Sequence, residues 1–479
     1  MVSRTGIDAV NNRSGSRSVQ ANMRPRVPAA AAAKPKAPRK KRPLVITCVI
    51  MFLLVFTIAP ENFDYSTFEP NAVANAQQQL AMPTQGSAFS RTMWLLLLAV
   101  GVAVPLARSA SALKLLRRVN PYLLLFFALA TASVLWSIDS GITLRRVVRA
   151  LTIALDFFAF VLIAGKTVSF QSVLRPVYTV VLAGSILFVL AEPRLAIEQS
   201  TQFELVGAWR GLTTQKNGLG SLAAIGVILW LHAWLTKERH WLLALAGATV
   251  SAICLVHSRS STSLMAAIFG SLLLLMLLRS PPGLRRYLPY LIGLFVCALL
   301  IYSLAVLNLV PGSGMLLSPI TALTGKDMTF SGRTAIWNII DENIAQHRLL
   351  GSGYGAYWNQ VPGSPSLQML QRLYFYPTEG HNGYLDVIND LGIAGALCLL
   401  AYLLTFLRQG LSIFRTQRSQ GALFLTLLLA QMVANLSESR WFNTLSPEFV
   451  MFTFATMAMG RALLDRDAQS RATPPVARR

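Results

Sequence analysis

The chain has 479 residues, of which 54% are hydrophobic and 13% charged, with a formal net charge of +23. Apolar runs of about 17 to 22 residues recur along it, each long enough to cross the hydrocarbon core of a bilayer, so a soluble globular domain is excluded. The positive charge does not signal nucleic-acid binding: residues 1–43 hold eleven basic residues against Asp8 alone, residues 461–479 are also basic, and no aromatic platform accompanies either stretch.

In chain order, residues 1–43 read as a disordered, basic cytoplasmic tail, and Leu44 to Pro60 as a signal-anchor helix. Further spans are expected near 92–107, 121–137, 147–164, 176–192, 218–236, 241–257, 264–279 and 287–306. A polar segment over 307–389 follows, then spans near 390–407, 421–437 and 447–463 and a basic tail over 464–479. The expected fold class is therefore an all-α polytopic membrane protein of about 12 transmembrane helices with one large periplasmic loop. The connections Arg108 to Arg118, Lys166 to Arg175, Lys237 to His240, Arg279 to Arg286 and Arg408 to Arg418 are rich in Lys and Arg and alternate as cytoplasmic loops should, which puts both termini in the cytoplasm. Cys48, Cys254, Cys297 and Cys398 fall in expected spans without metal-ligand spacing, so they read as packing residues.

The outward connections carry basic residues that orientation does not require: Arg145, Arg146, Arg149, Arg210, Lys216, Arg259, Arg333 and Arg440. Kept at the membrane edge on separate loops, such residues point to an anion, and several guanidinium forks together suit a diphosphate. Inside the polar segment, Ser331 is a candidate N-cap, and Ile336, Ile339, Ile340 and Ile344 form one apolar stripe of an amphipathic helix. Arg333 in its first turn opposes the helix dipole, which a bound anion would explain, and Trp337 reads as an interface anchor. Gly351, Gly353 and Gly355 lack the spacing of a nucleotide phosphate loop and read as a tight turn. His381 lies just before the next span beside Glu379 and Asn382; it can take a proton from an attacking hydroxyl, with Glu379 or Asp386 orienting the ring. His347 has an ordinary role at a helix C-terminus. Asp156, inside a span, can pair with Arg149 or Arg145. No metal-binding motif and no glycosidase-like pair of acids is present, so no metal and no cofactor is expected.

The string SGRTAIWNIIDENIAQHRLLGSGYGAYW at 331–358 and HNGYLDVINDLGIAGAL at 381–397, with WRGLTTQKNGLG at 209–220 and HSRSSTSL at 257–264, resemble the Wzy_C region shared by O-antigen ligases and Wzy-type polysaccharide polymerases. The spelling of the 209–220 string is most similar to exopolysaccharide polymerases of the ExoQ type. The resemblance implies a GT-C-like glycosyltransferase of the bacterial inner membrane, acting on an undecaprenyl-diphosphate-linked oligosaccharide at the periplasmic face. A chain-length regulator and a flippase of the same pathway are the implied protein partners, with membrane lipids and no nucleic acid. It implies that Arg210 and Arg333 bind the diphosphate and that His381 activates the acceptor hydroxyl, with Lys216, Asn217, Arg259, Asn382 and Glu379 as further substrate contacts. Two acceptors stay open, another repeat unit for a polymerase or lipid A core for a ligase. A transporter is a third reading, although no internal repeat supports it.

Overall fold

The structure is a computed structural model that describes residues 88–165, 169–198, 206–213, 215–306, 333–359, 364–373, 376–444 and 446–472. The expected first span, the tail to residue 43, Cys48 and the Ser331 cap lie outside these residues. Among the described residues every element is helical, apart from one isolated bridge between Ile197 and Trp209. In order they are α1 (Ala88–Ala107), α2 (Ser109–Leu116), α3 (Pro121–Ala132), α4 (Ser140–Ala164), α5 (Phe170–Ala191), the single turn α6 (Pro193–Ala196), α7 (Lys216–Leu235), α8 (Trp241–His257), α9 (Ser261–Arg279), the turn α10 (Pro282–Arg285), α11 (Leu288–Val306), α12 (Arg333–Gln346), α13 (Gln368–Leu373), α14 (Gly383–Thr416), α15 (Arg418–Ala434) and α16 (Pro447–Ala472).

Every expected span after the first coincides with one of these helices. By length and hydropathy, α4, α5, α7, α9 and α14 are sufficient to cross a bilayer, and the α1–α2 pair, bent by 98°, adds a sixth if it is one span. The apolar stretches Pro121–Leu135, Trp241–His257 and Leu288–Ile301 are shorter. Among the described residues the protein is thus all-helical and multi-pass, with five or six helices that meet these criteria against the eleven spans expected there. Exposed Leu106, Val180, Leu187, Leu190 and Leu294 give it the apolar outer surface that a lipid environment requires.

Local chemistry sets the helix starts. Asn120 caps α3 by accepting from Tyr122 N–H ahead of Pro121, Asp139 caps α4 through Ile142 N–H, and Asn382 caps α14 through Tyr384 and Leu385 N–H. The core is aromatic where α3, α4, α14 and α16 meet: Phe126 stacks on Phe442 at 3.9 Å between centroids, and Phe157 on Phe454 at 4.8 Å. Cys254 and Cys398 are buried and free, their thiols donating to Leu182 and Tyr122 carbonyls, and Cys297 is exposed. Asp156 is buried in α4 with Oδ2 lacking a hydrogen-bond partner, and Arg149 lies over the Trp94 ring. At one end of the bundle, Arg175 on α5 ties Leu229 O, His232 and Glu238 together, and His232 reaches Ser419 at the start of α15.

The longest helix is broken. Gly392 in α14 has φ 63° and ψ −161°, which interrupts the backbone ladder. The stretch 348–355 fills the gap: Ser352 N–H donates to Asn389 O, Gly353 N–H to Asp390 O, and Ile393 and Ala394 N–H to Arg348 and Leu349 O. Freed backbone groups at membrane depth need such partners. Gly351, Gly353 and Gly355 all have positive φ, and a Cβ on Gly351 would lie 2.3 Å from the Asp390 carbonyl carbon. Gly351→Ala is therefore expected to lower the thermal midpoint of the detergent-solubilised protein, with a cost of about 1–3 kcal/mol from the backbone conformation alone. An unchanged midpoint would contradict this account of the break.

Candidate functional site

The site forms where the starts of α7, α14 and α16 meet the end of α15. Asn382 N–H donates to Ser439 Oγ and Gly383 N–H to Asn435 O, so the entry to α14 is pinned to the α15–α16 connection. His381, one residue earlier, has φ 51°, a left-handed conformation that a non-glycine residue adopts only when its surroundings impose it. Its Nδ1 lies 3.3 Å from Glu379 Oε1. Asp386, the other candidate for orienting the ring, is engaged elsewhere, accepting from Gly380 N–H and Trp358 Nε1–H. Trp337 also differs from expectation. It is buried at 7% exposure and its indole N–H donates to Gly380 O, because the apolar stripe of α12 packs on Leu385 and Tyr357 and carries the ring inward with it.

Arg440 organises the charges. Its guanidinium lies 2.9 Å from Glu438 Oε2, 3.6 Å from Glu379 Oε2 and 3.9 Å from Glu448 Oε2. Burial opposes the charge on Arg440, and these three carboxylates outweigh it and hold the guanidinium charged. Burial also opposes ionisation of Glu379, but Arg440 and His381 hold its carboxyl below the ordinary range. Glu438 goes the other way: burial and the nearby Glu379 push its carboxyl up to about 7, against the pull of Arg440 and Arg333. The two acids share one guanidinium, so their titrations are linked.

Of the residues singled out in the sequence, Glu379, His381, Asn382, Arg333 and Asn217 converge here, and Lys216 interacts with Glu198 instead. Arg333 donates to Ser437 O at 2.7 Å and reaches Glu438 Oε1 at 3.9 Å, so part of its role is an ion pair. Asn217 donates to Glu438 Oε1 at 2.7 Å, and Ser221, one turn on, donates to Glu448. Gln215, just before Lys216, approaches Glu379 at 3.5 Å. Arg210 is buried in the preceding turn, its Nε donating to Leu195 O. It shares Glu198 with Lys216, and burial raises that carboxyl against both cations. Arg259 is not brought in: it is exposed, with φ 49°, and holds Val206 O at 2.7 Å. The donor atoms of Glu379, His381 and Glu438 lie within 4.8 Å of one another, close enough to hold a cation. Beside both carboxylates, however, Arg440 already supplies the positive charge.

Sequence reasoning missed Glu438, Glu448 and Gln215, and took Arg440 only as one of several outward cations. The signal available was the polar string SESRWFNTLSPE at 437–448, between two apolar runs.

Residues 246–400 match the Wzy_C family, described as O-antigen ligase. Arg259, Arg333, Glu379, His381 and Asn382 fall inside the matched segment, whereas Arg210, Lys216, Asn217, Glu438 and Arg440 lie outside it. The chain is also similar to the exopolysaccharide production protein ExoQ of Rhizobium meliloti (strain 1021), with 27% identity over 289 residues, covering 58% of this chain and 62% of that relative. The match spans less than two thirds of the relative's length. The Wzy_C match and the ExoQ similarity together bear out the resemblance read from the motifs.

Two outcomes follow from the charge arrangement. Arg440→Gln leaves buried carboxylates without their guanidinium and is expected to cost about 3–5 kcal/mol, read as a lowered thermal midpoint; an unaltered midpoint would show that Arg440 is not the clamp. The raised Glu438 carboxyl means that the folded protein holds a proton which the unfolded chain releases. Stability should therefore fall as pH rises from about 5 to about 8, a window in which the depressed Glu379 contributes no slope. Thermal scans of Glu438→Gln across that window should be flatter than wild type, and equal slopes would contradict the assignment.

Proposed function

We propose that this protein is an inner-membrane polysaccharide polymerase that transfers a glycan from a lipid diphosphate to a sugar hydroxyl of another lipid-linked repeat unit. The observation that carries this reading is the His381–Glu379 pair, held by buried Arg440 beside the cationic start of α7. With Nδ1 turned to Glu379, the other ring nitrogen, Nε2, is the base. The acceptor oxygen attacks the anomeric carbon as His381 takes its proton. The bond from that carbon to the diphosphate oxygen breaks, and its electron pair leaves with the diphosphate. Lys216, Arg333 and Arg210 stabilise that departing charge. Asn382, whose buried Nδ2 has no protein partner, is a further donor to substrate. Inversion at the anomeric carbon follows from a single displacement.

Ala224, Ile228, Ala266 and Ala430 line an apolar crevice that ends on Glu438 and Arg440, and the isoprenoid chain is assigned to this surface. The reading places the site at the periplasmic face, with the shorter apolar helices as further spans of a twelve-span bundle and both termini cytoplasmic. Similarity to ExoQ favours the polymerase. The family description, O-antigen ligase, supports a second reading in which the acceptor is lipid A core.

Purified protein reconstituted with lipid-diphosphate-linked repeat units, with and without lipid A core, separates these. A ladder of glycan on the lipid diphosphate is the expected product, and transfer only to the core would establish the ligase instead. His381→Ala should lower the rate by about 10²–10⁴-fold with folding intact, the usual contribution of a general base. Glu379→Gln should lower it less, and a chelator should leave it unchanged. A fully active His381→Ala would remove His381 from the chemistry.

A further inference from the structure

On the side of Glu379 away from α7, the first turns of α14, the segment 354–358 and the connection 439–444 enclose a cavity of about 560 Å³, counting its open mouth. Its wall combines two indole rings, Trp358 and Trp441, with the carboxylates of Asp386 and Asp390, the Arg146 guanidinium and Glu379 itself. Asp386 and Asp390 stand one helical turn apart on α14, and Arg146 reaches in from α4, its guanidinium 3.5 Å from Trp358 O.

The hydrogen-bonding capacity of this wall is not spent within the protein. Asp390 Oδ2 accepts from Gly355 N–H, but its buried Oδ1 has no partner. Trp441 is 5% exposed, and its indole N–H likewise has none. Buried polar atoms left in this way are costly unless a ligand completes them. The occupant must therefore both donate, to Asp390, and accept, from Trp441. A lipid chain would do neither. A diphosphate would face three carboxylates with one guanidinium of the cavity wall to offset them. A sugar ring fits, because its hydroxyls donate and accept around the edge while its C–H faces lie against indole rings.

We propose that this cavity is the subsite for the acceptor sugar, holding a neutral hexopyranose beside Glu379, the partner of His381. The assignment rests on the glycan-transfer reading and gives that reaction two sides: cations for the departing diphosphate at α7, aromatic rings and acids for the incoming sugar at α14. Uronic acids are disfavoured at this subsite by Glu379, whose carboxyl Arg440 holds ionised.

The test is saturation-transfer NMR on purified protein with methyl β-D-glucopyranoside, methyl β-D-galactopyranoside and methyl β-D-glucuronide, paired with acceptor kinetics in the reconstituted system. Trp441→Phe keeps a ring and deletes the donor, and Asp390→Asn keeps an acceptor for Gly355 N–H while removing the charge. Size-exclusion profile and thermal midpoint check that both variants fold. A neutral glycoside is expected to give a signal with wild type that each variant weakens by about tenfold, with no signal from the glucuronide. In the kinetic arm, acceptor KM should rise with kcat little changed. Loss of sugar binding in both variants supports the subsite whether or not transfer is observed. Active polymerisation with unchanged acceptor KM in both variants overturns the subsite and leaves the transfer reading standing, and absence of signal from both neutral glycosides overturns it as well.

Discussion

A buried guanidinium among three carboxylates is the constraint on which the site depends. Arg440 is 7% exposed, and a charge so placed persists only when its partners come with it. Those partners belong to separate parts of the chain: Glu379 before α14, Glu438 in the α15–α16 connection and Glu448 at the head of α16. Asn217 and Ser221 bring α7 to the same acids. The polar network thus draws four helix ends together, and the strained backbone of His381 is held because both of its flanks are tied into it. One cluster fixes the His381–Glu379 geometry and supplies part of the energy that orders the loops around it.

The second constraint lies in α14. A continuous helix would carry its first turns along one straight axis, whereas the break at Gly392 lets the 348–355 stretch dock alongside and complete the backbone pairing. That docking places Gly355 against Asp390 and Arg146 and seats α12 on Leu385, so Trp337 reaches Gly380 next to the His381 turn. Tyr354, Gly355 and Trp358 thereby become one wall of a pocket whose opposite wall includes Asp386, Val387, Asp390 and Leu391 of α14.

The helices were legible because hydropathy alone determines where a chain can lie in lipid, and each expected span after the first is a helix. Their number was less so: runs such as Trp241–His257 are apolar but short, and composition does not say whether they cross. His381, Glu379, Asn382 and Arg333 were legible as a site because polar residues flanking an apolar run at the membrane edge have few structural reasons to be there. The clamp was not. Glu438 and Arg440 lie almost 60 residues beyond His381, and no periodicity links charges that meet only when α14 and α15 fold back on each other. Trp337 was misjudged because amphipathic spacing gives the buried face of α12 but not how deeply a neighbouring ring is covered, and Arg259 because a basic residue near a motif need not face the same cleft.

The most direct test of the central claim is a cryo-electron microscopy map of the protein with a lipid-diphosphate-linked oligosaccharide bound. The diphosphate should lie between Arg333 and the start of α7, with the anomeric carbon facing His381 and the isoprenoid chain in the groove along α7 and α9. Diphosphate density at the opposite end of the bundle, near Arg175 or Arg461, would contradict the account.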